Sequence, residues 1–121
     1  MKSLGITYIE LGEDFVAGKM PVDNRTKQPV GILHGGANGA LIETLASMGT
    51  YMLIDHKTHY AAGLELNVNH VKAMTEGFVY GKAVIVHKGR NTHVWQVDIK
   101  NEVGKLVATG RMTMFVYKVD K

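Results

Sequence analysis

Apolar and polar positions follow two different rhythms along this chain of 121 residues. After Tyr60 the rhythm has period two. Residues 60–74 (YAAGLELNVNHVKAM), 78–88 (FVYGKAVIVHK), 92–100 (THVWQVDIK) and 105–117 (KLVATGRMTMFVY) alternate in the manner of half-buried strands. The breaks between them carry Thr75-Glu76-Gly77, Gly89-Arg90-Asn91 and Asn101-Glu102-Val103-Gly104, all residues that favour turns. Near the start, residues 4–11 and 15–22 predict two more strands about the turn Gly12-Glu13-Asp14. Between these blocks a loop broken by Pro29 and Gly31 leads into a stretch that is apolar or small nearly all round, GGANGALIETLASMGTYMLI. It predicts a helix from His34 or Gly36 to Ile54.

The predicted order is therefore β-β-α-β-β-β-β, with no repeat, linker or low-complexity tract, which makes residues 1–121 a single domain. A lone helix that is apolar on most sides must be covered on most sides, and the strands are the only cover available. The expected class is α+β: one long central helix wrapped by a curved antiparallel β-sheet.

At 100° per residue, Ala37, Leu41, Thr44, Leu45, Met48 and Met52 fall on one side of that helix. Gly36, Gly39, Glu43, Ser47 and Thr50 fall on a narrow, small and polar stripe opposite. Glu43 is the only charge between Ala37 and Ile54. A carboxylate in an apolar helix is costly to bury, so burial here marks a functional group. The plainer alternative is a Glu paired with a cation or facing solvent at a gap in the sheet. Ser47, one turn further on, is placed to hold Glu43 or a water. Gly35 and Gly36 open the helix with no Ser, Thr or Asp before them, which predicts unoccupied backbone N–H groups at a positive helix end, suited to an oxygen that gains negative charge. A glycine turn needing positive φ explains the same pair without chemistry. Gly35 and Glu43 lie about 12 Å apart along a helix, too far for both to reach one carbonyl. Two antiparallel helices across a two-fold axis would bring the middle of one to the start of the other.

Composition narrows the field. There is no Cys, which excludes disulfides and Cys-based metal sites. The 14 Lys and Arg against 11 Asp and Glu give a net charge of +3, spread singly, unlike the basic stripe of a nucleic-acid-binding protein. The first residues lack an apolar leader core and no stretch is long enough to span a bilayer, so a soluble cytoplasmic protein is expected, without membrane or nucleic-acid partners. His56 and His59 in DHKTH have no carboxylate beside them except Asp55, and no metal is assigned.

The segment HGGANGALIETLAS resembles the HGGxxxxLxExxxS signature of hotdog-fold acyl-CoA thioesterases. It is most similar to the aromatic acyl-CoA branch, with the Arthrobacter-type 4-hydroxybenzoyl-CoA, phenylacetate-pathway and 1,4-dihydroxy-2-naphthoyl-CoA thioesterases. The likeness continues through MPVDNRTKQPVGILHGG, GLELNVNHVK, HKGRN and VWQVDI. It implies a hotdog fold, a homodimer or homotetramer built as a dimer of dimers with sites shared between subunits, and hydrolysis of an aromatic acyl-CoA, such as a hydroxylated benzoyl- or naphthoyl-CoA. Glu43 would be nucleophile or general base, and Gly35 with Gly36 the oxyanion site. Gln28 and His34 match polar positions that orient the thioester. Coenzyme A enters as part of the substrate, and no separate cofactor is implied. Its phosphates call for Lys, Arg, His and free amides. Two segments combine these and match coenzyme-contacting stretches of similar enzymes: His70, Val71, Lys72 and Ala73 in one; His87, Lys88, Gly89, Arg90, Asn91 and Thr92 in the other. The position of Gly63 matches a further such contact. A hotdog hydroxyacyl dehydratase would pair a His with an acid at the helix, which HGGAN does not offer; a non-catalytic acyl-CoA-binding domain is the other alternative.

Overall fold

The computed structural model describes residues 4–119, so the outermost positions of the expected domain lie outside the described residues. The chain forms β1 (Thr7–Leu11), β2 (Phe15–Pro21), α1 (Gly35–Leu53), β3 (His59–His70), β4 (Phe78–Lys88), β5 (Thr92–Lys100) and β6 (Leu106–Lys118). This is the order the two rhythms predict. All neighbouring strands pair antiparallel in one six-stranded sheet of order β1-β2-β4-β5-β6-β3.

Alternation decides which face of each strand packs on α1. In β5, His93, Trp95, Val97 and Ile99 point inward and are buried, while the residues between them face out. In β2 the inward set is Val16, Gly18 and Met20. Leu41, Ile42, Leu45 and Ala46 of α1 complete the core.

The sheet has glycines beneath the helix. Gly18 and Gly81 face each other across β2 and β4, and Gly110 lies on β6. A Cβ on Gly18 would come 2.8 Å from Leu45, one on Gly81 2.9 Å from Leu45, and one on Gly110 2.8 Å from Ile42. A side chain added there would have to displace the ends of Leu45 or Ile42.

β3 is the last strand on its side of the sheet, and it runs antiparallel to α1. The positions of Gly35 and Gly39 lie against His70 and against Leu66 with Val68, and the Glu43 carboxylate lies beside Gly63. Much of β3 is open in the single chain, with Leu64 63% and Leu66 39% exposed. A bulge at Leu64, between the pairs Gly63↔Met114 and Glu65↔Thr113, re-aims the strand where it passes Glu43.

Candidate active site

The helix start differs from the expectation of an uncapped end. His34 is the N-cap, and its Nδ1 accepts the Gly36 N–H at 2.8 Å. An imidazole nitrogen does here what a Ser or Asp oxygen usually does. The Gly36 amide is therefore occupied. The Gly35 N–H has no hydrogen-bond partner among the described residues. Neither glycine has positive φ. What they supply is space: a Cβ on Gly35 would stand 3.0 Å from His70 Nε2, and one on Gly36 3.1 Å from His34 Nδ1.

Glu43 is exposed in the single chain, which corrects the expectation of a buried carboxylate. The physical reason is the edge position of β3: the sheet ends before it has wrapped the whole helix, and Gly63 has no side chain to cover the carboxylate. The gap in the sheet named as the alternative is thus what the chain shows. Thr50 is a second correction. Two turns beyond Glu43 the twisting sheet has come round, and β5 covers this position. Thr50 is fully buried; its hydroxyl accepts from Trp95 Nε1 at 2.9 Å and lies 3.0 Å from His93 Nδ1. Met52, placed on the apolar side by the same wheel, is exposed near the helix end.

Two cavities flank the stripe. One, of about 340 Å³, opens at the helix start and is lined by Gln28, Gly35, Asn38, His70, Val71, Lys72 and Ala73 among others. The structure thus brings Gln28, Gly35 and the first coenzyme segment together. In that segment the backbone N–H groups of Val71 and Lys72 both donate to the Val107 carbonyl, at 2.8 and 3.1 Å, whereas that of Ala73 has no partner among the described residues. The other cavity, of about 420 Å³, lies next to Glu43 and is lined by Ser47, Tyr51, Ile54, His56, His59, Tyr60, Ala61, Gly63 and Met114. The Ser47 hydroxyl points to the Met114 sulfur at 3.9 Å rather than to Glu43.

The second coenzyme segment lies elsewhere. Lys88, His93, Met114 and Gly63 form one row across the sheet, whereas His70 belongs to a row with Ala108 and Ile99. The two rows are about 23 Å apart along β3. Within one chain, Gly63 shares a row with Lys88 but stands three strands, about 14 Å, away from it, and His70–Ala73 lies further along the sheet. In that second segment the Gly89 N–H is taken by the Thr92 carbonyl at 2.8 Å, and the cations there are Lys88 and Arg90.

Sequence reasoning passed over Asn38, buried at the helix-start cavity with Nδ2 3.5 Å from His70 Nδ1. The signal was available as the one amide in an otherwise apolar first turn and a half. It also passed over His93, whose burial beside Thr50 lowers its pKa below the usual imidazole range, with Lys88 and then His87 acting in the same direction. The folded protein favours the neutral ring, while the unfolded chain takes up a proton near pH 6.5. This stabilisation is present above about pH 6.5 and is lost as the pH falls towards the lowered value. Urea midpoints are therefore expected to drop between pH 7.5 and 5.5, and the drop to be smaller in His93→Gln. Equal pH slopes for the two proteins would show that His93 contributes nothing.

A helix laid into a curved six-stranded antiparallel sheet, with a carboxylate on its uncovered stripe and a glycine-lined helix start, defines a hotdog thioester hydrolase. The chain belongs to the Thioesterase superfamily, which matches residues 30–108. It is 41% identical over 110 residues to the 1,4-dihydroxy-2-naphthoyl-CoA hydrolase of Escherichia coli, covering 91% of this chain and 80% of that one. It is also 41% identical over 113 residues to the proofreading thioesterase EntH of Cronobacter sakazakii, covering 93% and 82%. Among solved structures, a mutant thioesterase from Pseudomonas aeruginosa superposes with a TM-score of 0.95 at 39% identity, covering 98% of this chain and 85% of that one. None of the described helices is long and apolar enough to cross a membrane.

Proposed function

We propose that this thioester hydrolase cleaves aromatic acyl-CoA to the free acid and coenzyme A, in sites shared between two antiparallel copies of the chain. One observation carries the reading: Gly35 and Glu43 lie on one helix about 12 Å apart, Gly35 in the lining of the helix-start cavity and Glu43 beside Gly63, which lines the other. Each cavity holds half of what hydrolysis needs. Gly35 from one subunit donates its N–H to the thioester oxygen, where negative charge develops. Glu43 from the other attacks the carbonyl carbon or takes a proton from the attacking water. His34 accepts at Nδ1, so its neutral ring carries the proton on Nε2 and can donate to the same oxygen. Gln28, beside Gly35, orients the group, and Ser47 lies one turn beyond Glu43 on the acyl side. The coenzyme arm runs past Gly36 and Gly63, with its phosphates near Lys72 of one chain and Lys88 or Arg90 of the other. The E. coli relative's aromatic substrate and the aromatic lining beside Glu43 support the acyl class. A cytoplasmic dimer of dimers suits this reading.

Free-thiol release from a panel of acyl-CoAs tests it directly, and no release from any aromatic member would overturn it. Lys72→Ala and Arg90→Ala are expected to raise KM several-fold with little change in kcat, because a remote phosphate contact is made equally in ground and transition states. An unchanged KM in both variants at low salt would remove these segments from the coenzyme site.

A further inference from the structure

The outer face of the sheet, turned away from α1, carries a cluster of aromatic side chains beside the β4–β5 hairpin. Tyr60 of β3 and Phe115 and Tyr117 of β6 alternate with the inward-facing Ala61, Met114 and Val116. Tyr60 and Tyr117 are cross-strand partners and meet edge to face, with centroids 6.2 Å apart and planes at 80°. Such a pair is ordinary sheet stabilisation. Phe115 is a different case. Its direct partners across the sheet are Ala62 and Thr92, small side chains that leave its ring 39% exposed. Tyr117 stacks on one side of that ring, with centroids 5.6 Å apart and planes at 20°. Because the two are neighbours along one face of β6, the other side of the Phe115 ring looks back over Thr113, about 6.7 Å along the strand. That is room for one flat ring.

The hairpin with the second coenzyme segment is fixed beside this opening. Thr92 is the β5 partner of Phe115. Asn91 before it is tied to β6 twice: its carbonyl accepts the Val116 N–H at 2.7 Å, and its Nδ2 donates to the Val116 carbonyl at 3.4 Å. Arg90 comes next in the turn, with Lys88 on the opposite arm. Register sets His87 opposite Val94, and Val94 opposite Thr113, so the same hairpin borders the floor of the opening. Glu65 stands across from Thr113 on β3, on the side away from these cations. Cations next to an open aromatic face are the means by which nucleotides are held, charge for phosphate and π-surface for base. Nothing in the hydrolytic chemistry uses this face.

We infer that Phe115 seats the adenine ring of coenzyme A, which stacks over Thr113 with Tyr117 backing the phenyl ring. Base and 3′-phosphate are one sugar apart, so the phosphate meets Lys88 or Arg90 of the same chain. The inference rests on the reading that places coenzyme phosphates at the β4–β5 hairpin.

The test separates the base from the rest of the coenzyme. Calorimetry gives Kd for coenzyme A and for 4′-phosphopantetheine, which lacks the adenosine, in the wild type, Phe115→Leu, Phe115→Trp and Arg90→Ala. Losing one stacked base is expected to raise Kd for coenzyme A about tenfold in Phe115→Leu, with 4′-phosphopantetheine unchanged and Phe115→Trp close to wild type. An unchanged Kd for coenzyme A in Phe115→Leu overturns the inference. So does equal weakening of both ligands, the mark of a purely structural role. Arg90→Ala judges the phosphate reading separately: if it leaves Kd for coenzyme A unchanged while Phe115→Leu raises it, that reading fails and the base seat stands. The rival occupant of an exposed aromatic face is a second copy of the chain. A lower sedimentation coefficient for Phe115→Leu, with its ratio of the two Kd values as in the wild type, assigns the face to that copy and overturns the inference. Should Phe115→Leu not fold, the wild type decides: NOEs from adenine H2 and H8 to the Phe115 ring support the seat, and their absence in the coenzyme complex, or no binding of coenzyme A, overturns it.

Discussion

Glu43→Gln is expected to lower kcat by about 10² or more while coenzyme binding changes little. The amide keeps the volume but can neither attack a carbonyl nor accept a proton from water. The site geometry makes the substitution clean. Glu43 is exposed in the single chain and has no salt bridge or hydrogen bond among the described residues, so its loss removes no support from the fold they form. A folded Glu43→Gln protein with wild-type kcat would show that the carboxylate on the stripe is not the reacting group.

The second large effect is a recovery. Glu43→Ala and the Gln28→Ala/His34→Ala double mutant are each expected to be inactive. Co-expressed or refolded together, they form mixed dimers in which one shared site collects every defect and the other collects none. With random pairing about half of the dimers are mixed, so roughly a quarter of the wild-type activity should return. A site contained in one chain predicts no recovery. Subunit exchange is checked first with two differently tagged chains; failure to recover in verified mixed dimers would refute the shared arrangement.

The order of elements was legible because each leaves its mark in the sequence: alternation with period two for the strands, and a long run that is apolar or small nearly all round for the helix. Gly35–Leu53 falls within a residue or so of the expected bounds. What the pattern does not carry is which strand ends the sheet. That fact alone exposes Glu43, and it also leaves Leu64 and Leu66 open. Thr50 was misplaced for a related reason: a helical wheel is a projection, and the wall beside a helix changes along its length when the sheet twists. The His34 cap was missed because capping is usually sought in Ser, Thr, Asp and Asn, although an extended residue with an accepting imidazole satisfies the same N–H. The two coenzyme segments have similar chemistry, and only the strand register shows that they lie at opposite ends of β3.

The glycine floor beneath the helix has a consequence for how this protein tolerates mutation. Leu41, Ile42 and Leu45 can exchange for other apolar side chains that settle into new rotamers at modest cost. Gly110 has no such freedom, since an added carbon would run into the Asn67 backbone carbonyl of β3 as well as Ile42. Such a change strains the β3–β6 pairing, the same pairing that carries Gly63 past Glu43. Random drift therefore reaches the surroundings of Glu43 through a strand position that has no side chain and no chemistry of its own.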